Sequence, residues 1–427
     1  MIPTRRSFLL GTGLLGLAGT LSACGSSDSA AADRPSNRAG KKLSFWYWDG
    51  ALSDNVVKSL SASFAGRATV TPMLIPGNFG QQLTTTLASG RSVPDITGVK
   101  GEDMPIFLTQ ATHFLDLNPL GAGKIASSFA AAKYAQATTP EGKQIGLPID
   151  LGPTALFLRA DLWKKAGLPN DPTAVSALVR TWDGWFALAR KLKKALPGTF
   201  AIRNTTDVFA VALAQLPETF VTRAGVFAGD QAGVKTAWAL AVRSISEGLQ
   251  AGIYDDTAFN AALSAGRLTG HIGPAWNGLD IASGAPGTSG AWRVANCPGG
   301  PGNIGGSYLT LTSTCRNPEA AFAYISELLS PANEGKAFTD SSVFPAVTAA
   351  YALPALTSGQ AFFGGQATIE VFGPAAKNLP TVYDAPLNTA ISASYYTELA
   401  NIEGGKKPAA AWNDAVAAGK KTAASGT

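Results

Sequence analysis

From Leu43 onward, short runs of large apolar residues alternate with longer stretches in which apolar residues recur every three or four positions. The first run, Leu43-Ser-Phe-Trp-Tyr-Trp48, is aromatic and stops at Asp49-Gly50, as a buried strand stops at a loop. Val56, Val57, Leu60 and Phe64 then share one face of a helix over 55–64. A strand over 68–75, a helix over 79–88, a short strand over 95–99 and a helix over 104–112 continue the alternation. Such a sequence of elements predicts a mostly parallel α/β sheet. Further on, 145–152 and 154–159 read as extended, and 160–166 as a short helix closed by Gly167. Thr181 caps a helix that carries Trp185, Leu188, Ala189 and Leu192 on one face. Helices fill the middle third, 234–249 among them. Strand and loop patterns return at 270–277, 292–295 and 307–312, before helices over 318–329 and between 387 and 421. The chain has no internal repeat.

This many elements need more than one core, and 427 residues exceed what a single core supports, so at least two lobes are expected. Hydrophobic residues make up 46% and charged residues 15%, which allows a large core and excludes wholesale disorder. The formal charge is +5, but the basic residues are scattered, which argues against a nucleic-acid partner. Two histidines, His113 and His271, and three cysteines, Cys24, Cys297 and Cys315, form no cluster with metal-ligand spacing. No metal and no cofactor are expected.

The N-terminus changes the picture. Arg5-Arg6-Ser-Phe-Leu resembles a twin-arginine export signature, and the uncharged apolar stretch over 8–23 falls short of the ~20 residues of a membrane-spanning helix. Leu21-Ser-Ala-Cys24 resembles the lipobox of bacterial lipoproteins, which implies a signal peptide over 1–23 and a lipidated Cys24 that anchors the protein to the outer face of the cell membrane. Residues 24–40 are small and polar, the composition of a flexible tether. Removing residues 1–23 takes away two arginines and no acid, so the mature chain carries +3.

Over 43–421, the ordered motifs resemble extracellular solute-binding protein family 1, the carbohydrate-binding lipoproteins of ABC importers, with maltose-binding protein as a distant relative. The resemblance rests on Leu43 to Gly50, Leu87-Ala-Ser-Gly-Arg-Ser-Val-Pro-Asp95, and Gly142 to Asp150 running into Phe157 to Leu168. It continues through Thr181-Trp-Asp, Gly273-Pro-Ala-Trp276, Gly305-Gly-Ser307 and Asn317 to Pro331. It implies an α/β, two-lobe, periplasmic-binding-protein-like fold of type II, whose chain crosses between lobes near 149–153, 290–295 and 339–346. Lobe 1 is then 41–149 with 296–340, and lobe 2 is 150–295 with 341–427. The implied protein is a monomer that binds a sugar or oligosaccharide between the lobes and delivers it to ABC transporter permease subunits.

Ligands of α/β sheets sit beyond the carboxyl ends of strands, and sugars call for aromatic platforms with carboxylate or amide partners. Trp48 and Asp49, after the first strand, supply both, although Trp48 could equally be core with Trp46 and Tyr47. Asn78 and Phe79 follow the second strand, and Glu102 and Asp103 the third; helix capping is the alternative for each pair. Asp95 reads as structural. The family's matching segments bring Asp150 at the first crossing, Trp276 in a glycine-flanked loop, Gly305, Gly306 and Ser307 by close backbone approach, and Tyr383 with Asp384; Asn388 is a weaker candidate. Trp163, Trp182, Trp185 and Trp238 read as packing residues, and both histidines as structural.

Two other functions compete. A secreted glycosidase needs two carboxylates with pKa values pushed apart, and the acids here show no such spacing; no nucleophile elbow occurs. The same fold could take a non-sugar cargo such as a glycerol phosphodiester, a polyamine or a peptide, and because the candidate cleft has more acid than base, a cationic ligand such as an amino sugar or polyamine fits better than a phosphodiester. Finally, if 292–297 and 307–312 are adjacent antiparallel strands, Cys297 and Cys315 lie too far apart to bridge and are free thiols.

Overall fold

The computed structural model describes residues 42–426; the export signal, Cys24 and the tether lie outside the described residues. The chain opens with β1 (Lys42–Tyr47), α1 (Asp54–Phe64), β2 (Thr69–Leu74), α2 (Phe79–Ser89) and β3 (Ile96–Lys100). Alternation in β1 divides its side chains between two cores. Leu43, Phe45 and Tyr47 face one side, with Val56, Val57, Leu60 and Phe64 of α1, while Trp46 and Trp48 lean on the other, with Phe79, Leu83 and Leu87 of α2. After α3 (Ala131–Ala135) and β4 (Leu147–Pro148), the chain enters a second sheet through β5 (Thr154–Arg159).

That second sheet is three-stranded, β6-β5-β7, with β6 at Gly270–Pro274 and β7 at Trp292–Asn296. A long helical excursion separates β5 from β6 and includes α4 (Trp182–Ala195) and α5 (Thr205–Ala214); α6 (Asn277–Gly284) follows β6 directly. Thr181 caps α4 as expected, accepting from Gly184 N at 3.1 Å. Trp163 and Trp185 are fully buried behind the second sheet, and Trp238 packs in a helical core with Tyr395 and Trp412. β8 (Ser307–Leu311) then returns to the first sheet, completing the order β2-β1-β3-β8-β4. The helix Pro331–Ser341 and the closing pair Asn388–Glu403 and Pro408–Ser425 finish the chain.

Three expectations need correction. The sheets are not mostly parallel: β1 pairs parallel with β2 and β3, but β8 runs antiparallel to β3 and β4, and β5 antiparallel to β6 and β7. The reason is the route, since β8 enters its sheet from the other lobe. The second crossing does not run through 290–295, where β7 is buried beside β5; it runs through 297–306. Consequently 292–296 and 307–311 belong to different sheets and are not neighbours. Cys297 and Cys315 are nevertheless both free and buried, and burial pushes each thiol up to about 12, so neither is a reactive thiolate near neutral pH.

The three crossings lie side by side as a hydrogen-bonded ribbon. Ile149 N donates to Ser307 O (2.8 Å), Ile304 N to Gly152 O (3.0 Å) and Thr154 N to Gly302 O (2.9 Å), while Leu151 N donates to Phe344 O (2.9 Å). The ribbon joins two sheets while leaving each with its own outer core.

Candidate ligand-binding site

The site is built where this ribbon meets the strand ends. Gly305 and Gly306 have φ of 66° and 80°, a region that L side chains rarely adopt. A Cβ on Gly306 would lie 2.6 Å from Asp150 O, and one on Gly305 2.9 Å from the Trp276 ring. A Cβ on Gly152 would lie 2.6 Å from the same six-membered end of that ring. Trp276 is thus seated on two glycines of the ribbon. It is half-buried and contributes to none of the four hydrophobic cores among the described residues.

Beside it is a residue that the sequence reading missed. Lys133 of α3 is 4% exposed; its Nζ donates to Gly305 O at 3.0 Å and lies 4.5 Å from the centre of the Tyr308 ring. Burial lowers its pKa to about 8, against the attraction of Asp150, Glu102 and Asp384. Asp150, at the first crossing, is pushed up to about 6 by burial, opposed by Lys133 and by hydrogen bonds from Ser307. Its Oδ1 is sealed from solvent with no hydrogen-bond partner. Asp384 is raised by burial, opposed by its bond from Asn388 Nδ2 (2.7 Å) and by Lys133. One ammonium and three carboxylates from four separate segments therefore feel one another. The signal for Lys133 was a lone charge within the apolar run Ala130-Ala-Ala-Lys-Tyr-Ala135, which also reads as an ordinary solvated position.

The remaining candidates are distributed more widely. Trp48 is half-buried, tilted against Phe79 with ring centroids 4.9 Å apart, with Lys100 Nζ 5.5 Å from its ring centre. Phe79 is 1% exposed and backs Trp48 from inside the core instead of lining open space. Asp49 is exposed in the turn after β1, and Glu102 is exposed after β3. Asn78 caps α2, accepting from Gln81 N at 3.2 Å, the capping alternative for this residue. Asp103 makes no capping bond; it packs against Gly80 at the start of α2, and burial raises its pKa. Ser307 is buried and holds the ribbon. Tyr383 lies under Arg223, 4.8 Å from the guanidinium carbon to the ring centre. His113 and His271 join no metal-ligating group among the described residues.

The charge cluster makes a testable statement about stability. A carboxyl whose folded pKa lies above its unfolded value gives stability that is present below about pH 4 and lost as pH rises through about 6. Lys133→Met removes the attraction that restrains Asp150, so this loss should grow. The stability of the variant relative to wild type, measured by urea unfolding without ligand, is expected to fall steadily from about pH 4 to 7. A constant difference over that range would show that Lys133 and Asp150 are not coupled.

Two sheets, a ribbon of three crossings and a polar, aromatic-walled site at that ribbon define a two-lobe binding protein of the periplasmic-binding-protein type. Residues 69–364 match the family described as bacterial extracellular solute-binding protein, and the chain belongs to that family. It is 27% identical over 191 residues to the arabinooligosaccharide-binding protein of Bacillus subtilis (strain 168), an alignment covering 41% of this chain and 40% of that protein. Against the lactose-binding protein of Rhizobium radiobacter it is 21% identical over 384 residues, covering 83% and 87%. A crystal structure of an extracellular solute-binding protein family 1 member superposes with a TM-score of 0.82 at 27% identity, covering 90% of this chain and 99% of that one.

Proposed function

We propose that the protein is the lipid-anchored substrate-binding component of an ABC importer, and that it holds a sugar or oligosaccharide against Trp276 in the cleft between lobe 1 (41–149 and 296–340) and lobe 2 (150–295 and 341–427). The observation that carries this reading is the placement of Trp276: a half-exposed indole on glycine backbone, outside the four cores of the described residues, near Asp150, whose Oδ1 has no hydrogen-bond partner. An indole face suits the C–H face of a pyranose or furanose ring, and Asp150, Asp384 and Glu102 suit its hydroxyls. Trp48 and Asp49, after β1, offer a second indole and carboxylate from lobe 1. Closure about the ribbon desolvates the sugar and completes bonds from both lobes. The relatives named for arabino-oligosaccharides and lactose support this ligand class. The protein acts as a monomer, without a cofactor, and hands its cargo to the permease; it performs no chemistry on it.

The test is a panel of arabino-oligosaccharides, lactose and maltose in a thermal-shift screen, followed by calorimetry. A ligand that binds the folded state raises the melting temperature, and sugar turnover by product analysis would overturn the binding reading. No described helix is long and apolar enough to cross a membrane. Anchoring is assigned to Cys24, so Cys24→Ala is expected to move the protein from the membrane fraction to the medium. Retention of the variant in the membrane fraction would remove the lipid anchor.

A further inference from the structure

The turn that carries Trp276 adjoins a polar relay outside the ligand-binding residues. β6 ends three residues after His271, and the chain turns through Ala275 and Trp276 into α6, which begins at Asn277. His271 is 3% exposed, and its ring lies between those of Phe157 and Phe259 (centroids 6.2 and 5.4 Å away). Its Nε2 meets Asn277 Oδ1 at 3.0 Å, and Asn277 Nδ2 donates to Asp280 Oδ2 at 2.8 Å. Any side chain on Gly273 would collide with Asn277 Oδ1 and approach His271 Nε2 to 3.0 Å, so this glycine keeps the relay open. The first bond spans the turn that carries Trp276, and the second holds the Asn277 amide from within α6.

The direction of the relay follows from its chemistry. Asp280 is exposed and accepts only, so the amide nitrogen of Asn277 faces it and the amide oxygen faces His271. Nε2 is therefore the donor. The other ring nitrogen, Nδ1, is 3.6 Å from Asp207 Oδ2, and neither atom has a hydrogen-bond partner or contact with solvent. If both were bare, two acceptors would face each other in the interior, an arrangement that a single proton relieves. Arg203 and Asp280 also face the pair, and Tyr396 faces Asp207. Burial raises Asp207 and lowers His271, while each attracts the charged form of the other.

We infer that His271 is a positioning residue for Trp276: with Nε2 it braces the β6–α6 turn through Asn277, and the one proton it shares with Asp207 through Nδ1 decides whether that brace is firm. With the proton present, Nδ1 and Oδ2 attract and the turn is held. With it gone, they repel and the strain passes through the ring to Asn277 and the indole. The importance of the inference for binding rests on Trp276 as ligand platform, but its test needs no ligand.

The experiment is ¹⁹F NMR of the full protein labelled with 5-fluorotryptophan, titrated from acid to alkaline pH without sugar. The Trp276 resonance is the one missing from Trp276→Phe. Lys133 and Asp150, next to the indole's seat on Gly305 and Gly152, titrate as well, and their steps are expected in both variants. Beyond them the resonance is expected to show a further step in the wild type, to lose it in Asp207→Asn, where an amide donates permanently to Nδ1, and to lose it in His271→Gln, whose amide still donates to Asn277. A wild-type profile with no step beyond those removed by Lys133→Met and Asp150→Asn overturns the inference, and so does a profile unchanged from wild type in either Asp207→Asn or His271→Gln. Failure of Trp276→Ala to weaken sugar binding would instead remove the platform and leave this result standing.

Discussion

Trp276→Ala is expected to weaken sugar binding roughly tenfold to a hundredfold, the equivalent of about 1 to 3 kcal/mol for losing an aromatic stacking partner. The fold should survive, because Trp276 packs on Gly152 and Gly305 and belongs to no core. Calorimetry with a sugar found in the panel, and circular dichroism as the folding control, separate the outcomes. An unchanged dissociation constant takes Trp276 out of the site, and a collapsed fold makes it a core residue.

Gly152→Ala should do more damage from a smaller change. The added methyl meets Ile304 O on the neighbouring crossing, which is backbone and cannot yield without shifting the ribbon, and the Trp276 ring at 2.6 Å, which must move off its seat. Overpacking of this kind costs about 1 to 3 kcal/mol of stability. Unlike Trp276→Ala, the variant is expected to lose stability and affinity together, because Gly152 O accepts the Ile304 bond and Gly152 N donates to Asn303 Oδ1 (2.9 Å). Thermal unfolding and calorimetry on one preparation check the pair. Normal melting with normal affinity would mean that the ribbon and the indole are free to move apart.

How much of this was legible in the sequence depended on how local each signal was. α1 and α2 were readable because Val56, Val57, Leu60 and Phe64, or Phe79, Leu83 and Leu87, follow the period of the helix that buries them. Trp276 was readable because flanking glycines make a poor setting for a core indole. Strand direction was not, since the antiparallel placement of β8 beside β3 is set by pairing across more than two hundred residues. The same distance hid that β7 and β8 part company between sheets. Lys133 was not legible because its significance comes from Gly305 and Asp384, far along the chain, and from Asp150 across a turn and a strand. Asn78 shows the opposite limit: strand end and helix start coincide there, and the cap took the side chain.

The position of β8 between β3 and β4 also bears on how the chain reaches this state. During synthesis β3 and β4 emerge long before residue 307, and the whole second sheet appears before their shared partner does. Until then both strands present unpaired backbone edges, the kind that recruits wrong partners. Folding of the first lobe should therefore be slow and late, a consequence of non-local pairing, and holding the chain unfolded until its last third is available would favour the correct sheet.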